Sequence, residues 1–165
     1  MRYNYTKIGY LCYKINFKSA KFIYKHRWLY YLLSFTWGLP LTIIGLIVSL
    51  VLIISGHKPI KYHGTWYFEV GRFWGGLELG MTFIRDKESD DSLSEHEFGH
   101  TFQNCLMGPL TIFIEFIPSA IRYWVLEYKR HKGLPVPDYD AIWFESNASD
   151  IGKELIQNEK EKRDK

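Results

Sequence analysis

Polar and apolar positions divide the chain into four stretches. The first, MRYNYTKIGYLCYKINFKSAKFIYKHR, mixes basic and aromatic residues up to Arg27. The second, from Trp28 to Ser55, contains no Asp, Glu, Lys or Arg. Such a run exceeds the roughly 20 residues that cross a bilayer, and as one helix it measures about 40 Å. Its residues are apolar on every side, which predicts a membrane-embedded helix rather than a buried core helix. Gly38, Leu39 and Pro40 interrupt it. Because proline removes a backbone donor and crowds the preceding turn, the pattern predicts either a kink near Pro40 or a short interfacial helix followed by a span from Leu41 to Ser55. Two full crossings do not fit, and no small-residue cleavage pattern marks a signal peptide.

After the run the periodicity changes. GTWYFEVG and GLELGMTFIRD alternate in part and are rich in aromatic and branched residues, predicting a β-hairpin of Thr65 to Val70 with Leu77 to Arg85. Glu78 reads as a polar-face residue of the second strand. An acidic loop, DKESDDSLS, leads to Ser92 and Glu95, spaced as a capping box, and so to a helix from Leu93 to Met107 that stops at Gly108 and Pro109. The stretch LTIFIEFIPSAIRYWVLEY contains Glu115, Pro118, Arg122 and Glu127, and reads as one or two helices against the membrane or in the core. The closing NEKEKRDK is a solvated charge run expected to fray. The expected fold is α+β, mainly α, and membrane-anchored, with one long apolar helix kinked near Pro40, a small hairpin and a pair of helices carrying the chemistry. The boundaries are a basic juxtamembrane segment at 1–27, a transmembrane segment at 28–56, a functional domain at 57–155 and a charged tail at 156–165.

Composition sharpens the partner classes. Twelve Tyr and six Trp in 165 residues suit a surface where lipid meets water, whereas a net charge of +3, scattered along the chain, argues against nucleic acid. The basic residues before the run place the N-terminus in the cytoplasm, although YKRHK at Tyr128 to Lys132 pulls the other way. Cys12 and Cys105 form no framework and read as free thiols.

The chemistry centres on SEHEFGHTFQN, Ser94 to Asn104. Residues four apart share a helix face, so His96 and His100 can place imidazole nitrogens on one Zn²⁺, while Glu97 is set one position round, where a general base belongs. Phe98, Phe102 and Cys105 would pack inward, and Gly99 permits close approach of another element. A catalytic zinc takes a third protein ligand, for which the sequence offers His63, His131, Glu115, Asp138, Asp140, Glu145 and Asp150. Glu145, in DAIWFESNASDIG, is best placed: the segment reads as the start of a helix with Asp140 near its N-terminus, and Ala148 three residues on allows tight packing.

HEFGH followed by ESNA resembles the zinc metallopeptidases that carry His-Glu-x-x-His on one helix and a glutamate ligand on a later one, including a membrane-embedded branch reading Glu-x-x-Ala-Asp. HEFGHTFQNCLMGPL with IPSAIRYW looks still more like a group of small, poorly characterised bacterial membrane proteins, over about Gly75 to Gly152. The resemblance implies zinc on His96, His100 and Glu145, Glu97 as base, and residence in a bacterial cytoplasmic membrane. Ser149 stands where the peptidase branch has an aspartate orienting a ligand histidine; Asp150, one place later, is the candidate replacement. Arg122, Tyr123 and Tyr139 are candidates to stabilise an oxyanion, with Arg122 equally placed to pair with Glu115 or Glu127. The expected activity is hydrolysis of a peptide or protein substrate lying along the strand Leu77 to Arg85. Two other readings are a membrane protein with a structural zinc that docks a partner, and a lipid-binding module built on the N-terminal segment.

Overall fold

Ten consecutive buried residues, His96 to Cys105, make the helix Asp91–Met107 (α4) the centre of the molecule. The computed structural model describes residues 7–163, so residues 1–6 of the basic segment and 164–165 of the tail lie outside it. Phe98, Phe102 and Cys105 are at most 1% exposed, as their spacing predicts. The helix starts two residues earlier than the Ser92–Glu95 pattern suggests: Asp90 is the cap, its carboxylate accepting from the Ser92 N–H at 3.0 Å. Its end at Gly108 is as expected, and a positive φ of 55° there suits glycine.

The elements run α1 (Lys7–Lys25), α2 (Arg27–Phe35), α3 (Leu39–Ile54), β1 (Ile60–Tyr62), β2 (Thr65–Glu69), β3 (Gly76–Leu79), β4 (Thr82–Arg85), α4, α5 (Ile117–His131) and α6 (Trp143–Arg163). A 3-10 turn (Gly108–Leu110) and a π turn (Ile112–Phe116) link α4 to α5. The fold is therefore α+β and mainly helical with a small mixed sheet, but the expected long apolar helix is corrected. The run from Trp28 to Ser55 breaks into α2 and α3, bent by 89°, and no single described helix is long and apolar enough to cross a membrane. The cause is local. The Gly38 N–H closes α2 onto the Leu33 carbonyl, Asn104 Nδ2 donates to the Gly38 carbonyl at 3.3 Å, and Pro40 sits in the first turn of α3. There its missing N–H costs nothing. Proline starts a helix here instead of kinking one.

The hairpin is also redrawn. The sheet order is β1-β2-β4-β3, with β1 antiparallel to β2, β2 parallel to β4, and β3 antiparallel to β4. GLELGMTFIRD is thus two strands folded at Gly80 and Met81, with φ of 74° at Gly80, and Leu77 to Arg85 is not one strand. His63 lies in the turn between β1 and β2 with φ of 45°.

The N-terminal segment is part of the core. Ala20 and Ile23 of α1 are buried against α4 and α6, Lys21 pairs with Glu154, and the Tyr24 hydroxyl donates to Glu159. Through these contacts α6 stays helical to Arg163, where a frayed tail was expected. Both cysteines are free thiols.

Candidate metal centre

Two helices bring the site together because small residues let them touch. A Cβ added at Gly99 would lie 2.6 Å from the Ala148 carbonyl carbon, and one at Gly152 would lie 2.6 Å from the Glu95 carbonyl carbon. These contacts hold α4 on α6 backbone to backbone and place Glu145 over the face shared by His96 and His100. The packing inferred for Gly99 and Ala148 is what the structure has.

The three side chains meet in a triangle. His96 Nε2 and His100 Nε2 are 3.1 Å apart, and Glu145 Oε2 is 3.1 Å from the first and 3.2 Å from the second. All three residues are buried. Donors around one tetrahedral ion at about 2.0–2.1 Å lie about 3.3 Å apart, so the spacing fits a shared metal ion.

The tautomers point the same way. His96 Nδ1 lies 2.7 Å from Ser149 Oγ, and that hydroxyl gives its only proton to Asp140 Oδ2 at 2.8 Å. His96 must then donate from Nδ1, leaving a lone pair on Nε2 that faces the Glu145 carboxylate. With a neutral His96, acceptor faces acceptor at 3.1 Å, an arrangement that a shared cation between them satisfies. One proton on His100 could serve one edge of the triangle; an ion serves all three. A buried His-His-Glu group that can hold a metal ion is therefore present.

Glu145 Oε1 accepts from the Ser119 hydroxyl, which fixes the carboxylate from its far side. Burial opposes ionisation of Glu145, yet the His100 and His96 rings hold it far below the usual carboxylate range. Burial likewise opposes charge on His100, but Glu115 and Glu145 raise it well above the ordinary histidine value. Glu97 is 5% exposed; burial raises its carboxyl, partly offset by the two histidines.

These groups line one wall of a cavity of about 420 Å³. Gly76, Leu77 and Glu78 of β3 form another wall, and Phe116, Tyr123 and Trp124 a third. β3 has only β4 as a strand neighbour, so its outer edge is unpaired in the sheet.

The remaining expected residues divide. Tyr123 and Tyr139 line the cavity, and the Tyr139 ring centre is 6.5 Å from that of His96. Arg122 is corrected: it pairs with neither Glu115 nor Glu127 and donates to the carbonyls of Tyr139 and Asp138 at 3.0 and 2.7 Å, bracing the loop before α6. Asp150 is corrected too, because it accepts from the Tyr13 hydroxyl on the outer face of α6, while Ser149 itself reaches His96. Of the other third-ligand candidates, His63 pairs with Glu159 at 2.6 Å and His131 is exposed at the end of α5.

Four roles escaped the sequence reading, which read Glu78 as a polar-face residue, Asp140 as a third-ligand candidate and Ser149 as a departure from the peptidase pattern. Glu78 faces the cavity with 7% exposure, and burial raises its carboxyl well above the ordinary value. Ser119 and the Ser149–Asp140 relay support the ligands.

Compared with protein-family models, curated proteins and solved structures, the chain has no match.

Proposed function

We propose that the chain is a zinc-dependent, metallopeptidase-like hydrolase. The observation that carries this reading is the convergence of His96, His100 and Glu145 on one point of a cavity wall, with the buried Glu97 in the same wall. Two imidazole nitrogens and one carboxylate oxygen suit zinc, and when bound there the ion supplies Lewis acidity and lowers the pKa of water. The residues of the chain do the rest. Ser149 with Asp140 orients His96, and Ser119 orients Glu145. Glu97, whose carboxyl is raised by burial, accepts a proton from the attacking water at its Oε atoms and returns it to the leaving amine. Tyr123 and Tyr139 offer phenolic hydroxyls to the developing oxyanion. An extended peptide pairs with the outer edge of β3, which presents backbone donors and acceptors beside the site.

We place this activity at a lipid surface. Ile47, Leu50 and Ile54 of α3 are 58%, 58% and 77% exposed, and Trp124 of α5 is 71% exposed. Apolar area on this scale is rare on a surface that faces only water. The 3-10 turn that leads towards α5 packs on α3.

The test uses the zinc-loaded full chain in detergent with a pool of quenched fluorescent peptides, for wild type and Glu97→Gln. Cleavage by wild type that falls about 100-fold or more in the variant, with the metal retained, supports the reading. Equal cleavage by both refutes Glu97 as base. Metal binding with no cleavage by wild type returns the site to the structural alternative, in which it fastens α4 to α6 for docking a partner.

A further inference from the structure

Two carboxyl groups in the cavity carry buried oxygens without a hydrogen bond. Glu115 is 2% exposed, and neither of its oxygens has a hydrogen bond; the nearest cationic atom, His100 Nδ1, is 3.9 Å from Oε2. Glu78 is 7% exposed, and its Oε1 also lacks a hydrogen bond. Both line the same cavity as the His-His-Glu group, and neither belongs to it. Each is positioned with some care. Glu78 comes from β3, and Glu115 comes from the π turn, a rare local geometry that recurs at functional sites.

A buried carboxylate oxygen without a donor is costly. Among the described residues no Lys or Arg side chain lines this cavity, while Glu78, Glu97, Glu115 and Glu145 all do. Beside the two acids stand Trp74, Tyr123 and Trp124, aromatic faces of the kind that accept an organic cation.

We propose that the cavity takes a peptide bearing a basic side chain, lysine or arginine, next to the bond to be cut, with Glu78 and Glu115 as its specificity residues. The substrate's ammonium or guanidinium supplies the donors that these carboxylates lack, and its alkyl stem lies along the aromatic wall. This assignment of substrate class rests on the hydrolase reading, but cation binding can be measured without turnover.

The probe is benzamidine, with benzamide as its neutral isostere, titrated into zinc-loaded full chain in detergent and followed by tryptophan fluorescence. In wild type, benzamidine binds about tenfold or more tightly than benzamide, as expected for a hydrogen bond to a charged partner. Glu78→Gln and Glu115→Gln each shrink that preference at least threefold while keeping one zinc per chain. Equal binding of the two probes to wild type overturns the proposal, and so does a preference that both variants retain. Two metal ions per chain, with the second lost in Glu115→Gln, would show that the acids hold metal and also overturn it. Peptides with lysine or norleucine beside the scissile bond separate the two readings. Cleavage without a preference for lysine refutes this proposal alone; a benzamidine preference with no cleavage refutes the hydrolase alone.

Discussion

Gly99→Ala is the smallest change that tests how the site is built. An alanine there has two opposed effects. Replacing glycine in a helix interior favours the helix by about 0.5–1 kcal/mol. Against this, the new Cβ would lie 2.6 Å from the Ala148 carbonyl carbon and 2.9 Å from its Cα, where carbon atoms need about 3.5 Å or more. The contact is with backbone, so no side chain can rotate away, and α6 must withdraw by about 1 Å. Overpacking of this kind costs about 1–3 kcal/mol, so the clash wins and the variant is net destabilised. Glu145, one turn before Ala148, moves with its helix, and the 3.1–3.2 Å edges to the two histidines open towards about 4 Å, too wide for one ion to bridge. Metal affinity, measured by competition with a chromogenic chelator, should fall about 10- to 100-fold, and the melting temperature of the metal-free protein should drop. An equal or higher melting temperature with affinity within a factor of two would refute the close-contact account, because helix propensity would then be the only effect present.

Other outcomes follow from particular contacts. Ser149→Ala removes the acceptor that fixes the His96 tautomer and should weaken metal binding about 10- to 100-fold by the same chelator assay, whereas Asp150→Asn, on the far face of α6, should leave it unchanged. Burial raises the Asp86 carboxyl, but the backbone N–H of Gly75, the Ser89 hydroxyl and further backbone donors outweigh it and leave the pKa below the ordinary 3.8. Its contribution to stability is therefore complete above that value and is lost as the pH falls through the lower, folded value; thermal melts of metal-free Asp86→Asn between pH 7 and pH 3 should converge on wild type only at the acid end. Leu50→Glu places a charge on the exposed face of α3 and should release the protein from liposomes in a flotation assay, with the fold unchanged by circular dichroism.

What the sequence made legible was whatever depends on helical period alone. His96, Glu97 and His100 occupy the faces their spacing dictates, and Phe98, Phe102 and Cys105 turn inward for the same reason. The Gly99–Ala148 contact was legible because small residues in two predicted helices have few uses other than close approach. The errors came where one pattern supports two tertiary outcomes. An uncharged run tells how apolar a segment is and not whether it continues straight: Gly38 and Pro40 mark a kink and a helix start equally well, and Asn104, 64 positions beyond Pro40, decides between them. Glu78 alternates with apolar neighbours whether it faces water or a cavity. Ser149 and Asp150 are adjacent on α6, and only the rotation of that helix, set by the contacts of Ala148 and Gly152, turns the serine toward His96 and the aspartate toward Tyr13. The basic N-terminal segment looked like a lipid anchor because, among its described residues, α1 buries only a narrow stripe, Gly9, Asn16, Ala20 and Ile23, and leaves its lysines outside.

The most direct test of the central claim is metal content by mass spectrometry on the detergent-purified chain, for wild type, His96→Ala, Glu145→Ala and Asp150→Ala. A three-ligand centre on His96, His100 and Glu145 predicts about one zinc per chain in wild type and Asp150→Ala, and loss in the other two. No metal in wild type after incubation with zinc at neutral pH, or full retention in both ligand variants, would contradict it.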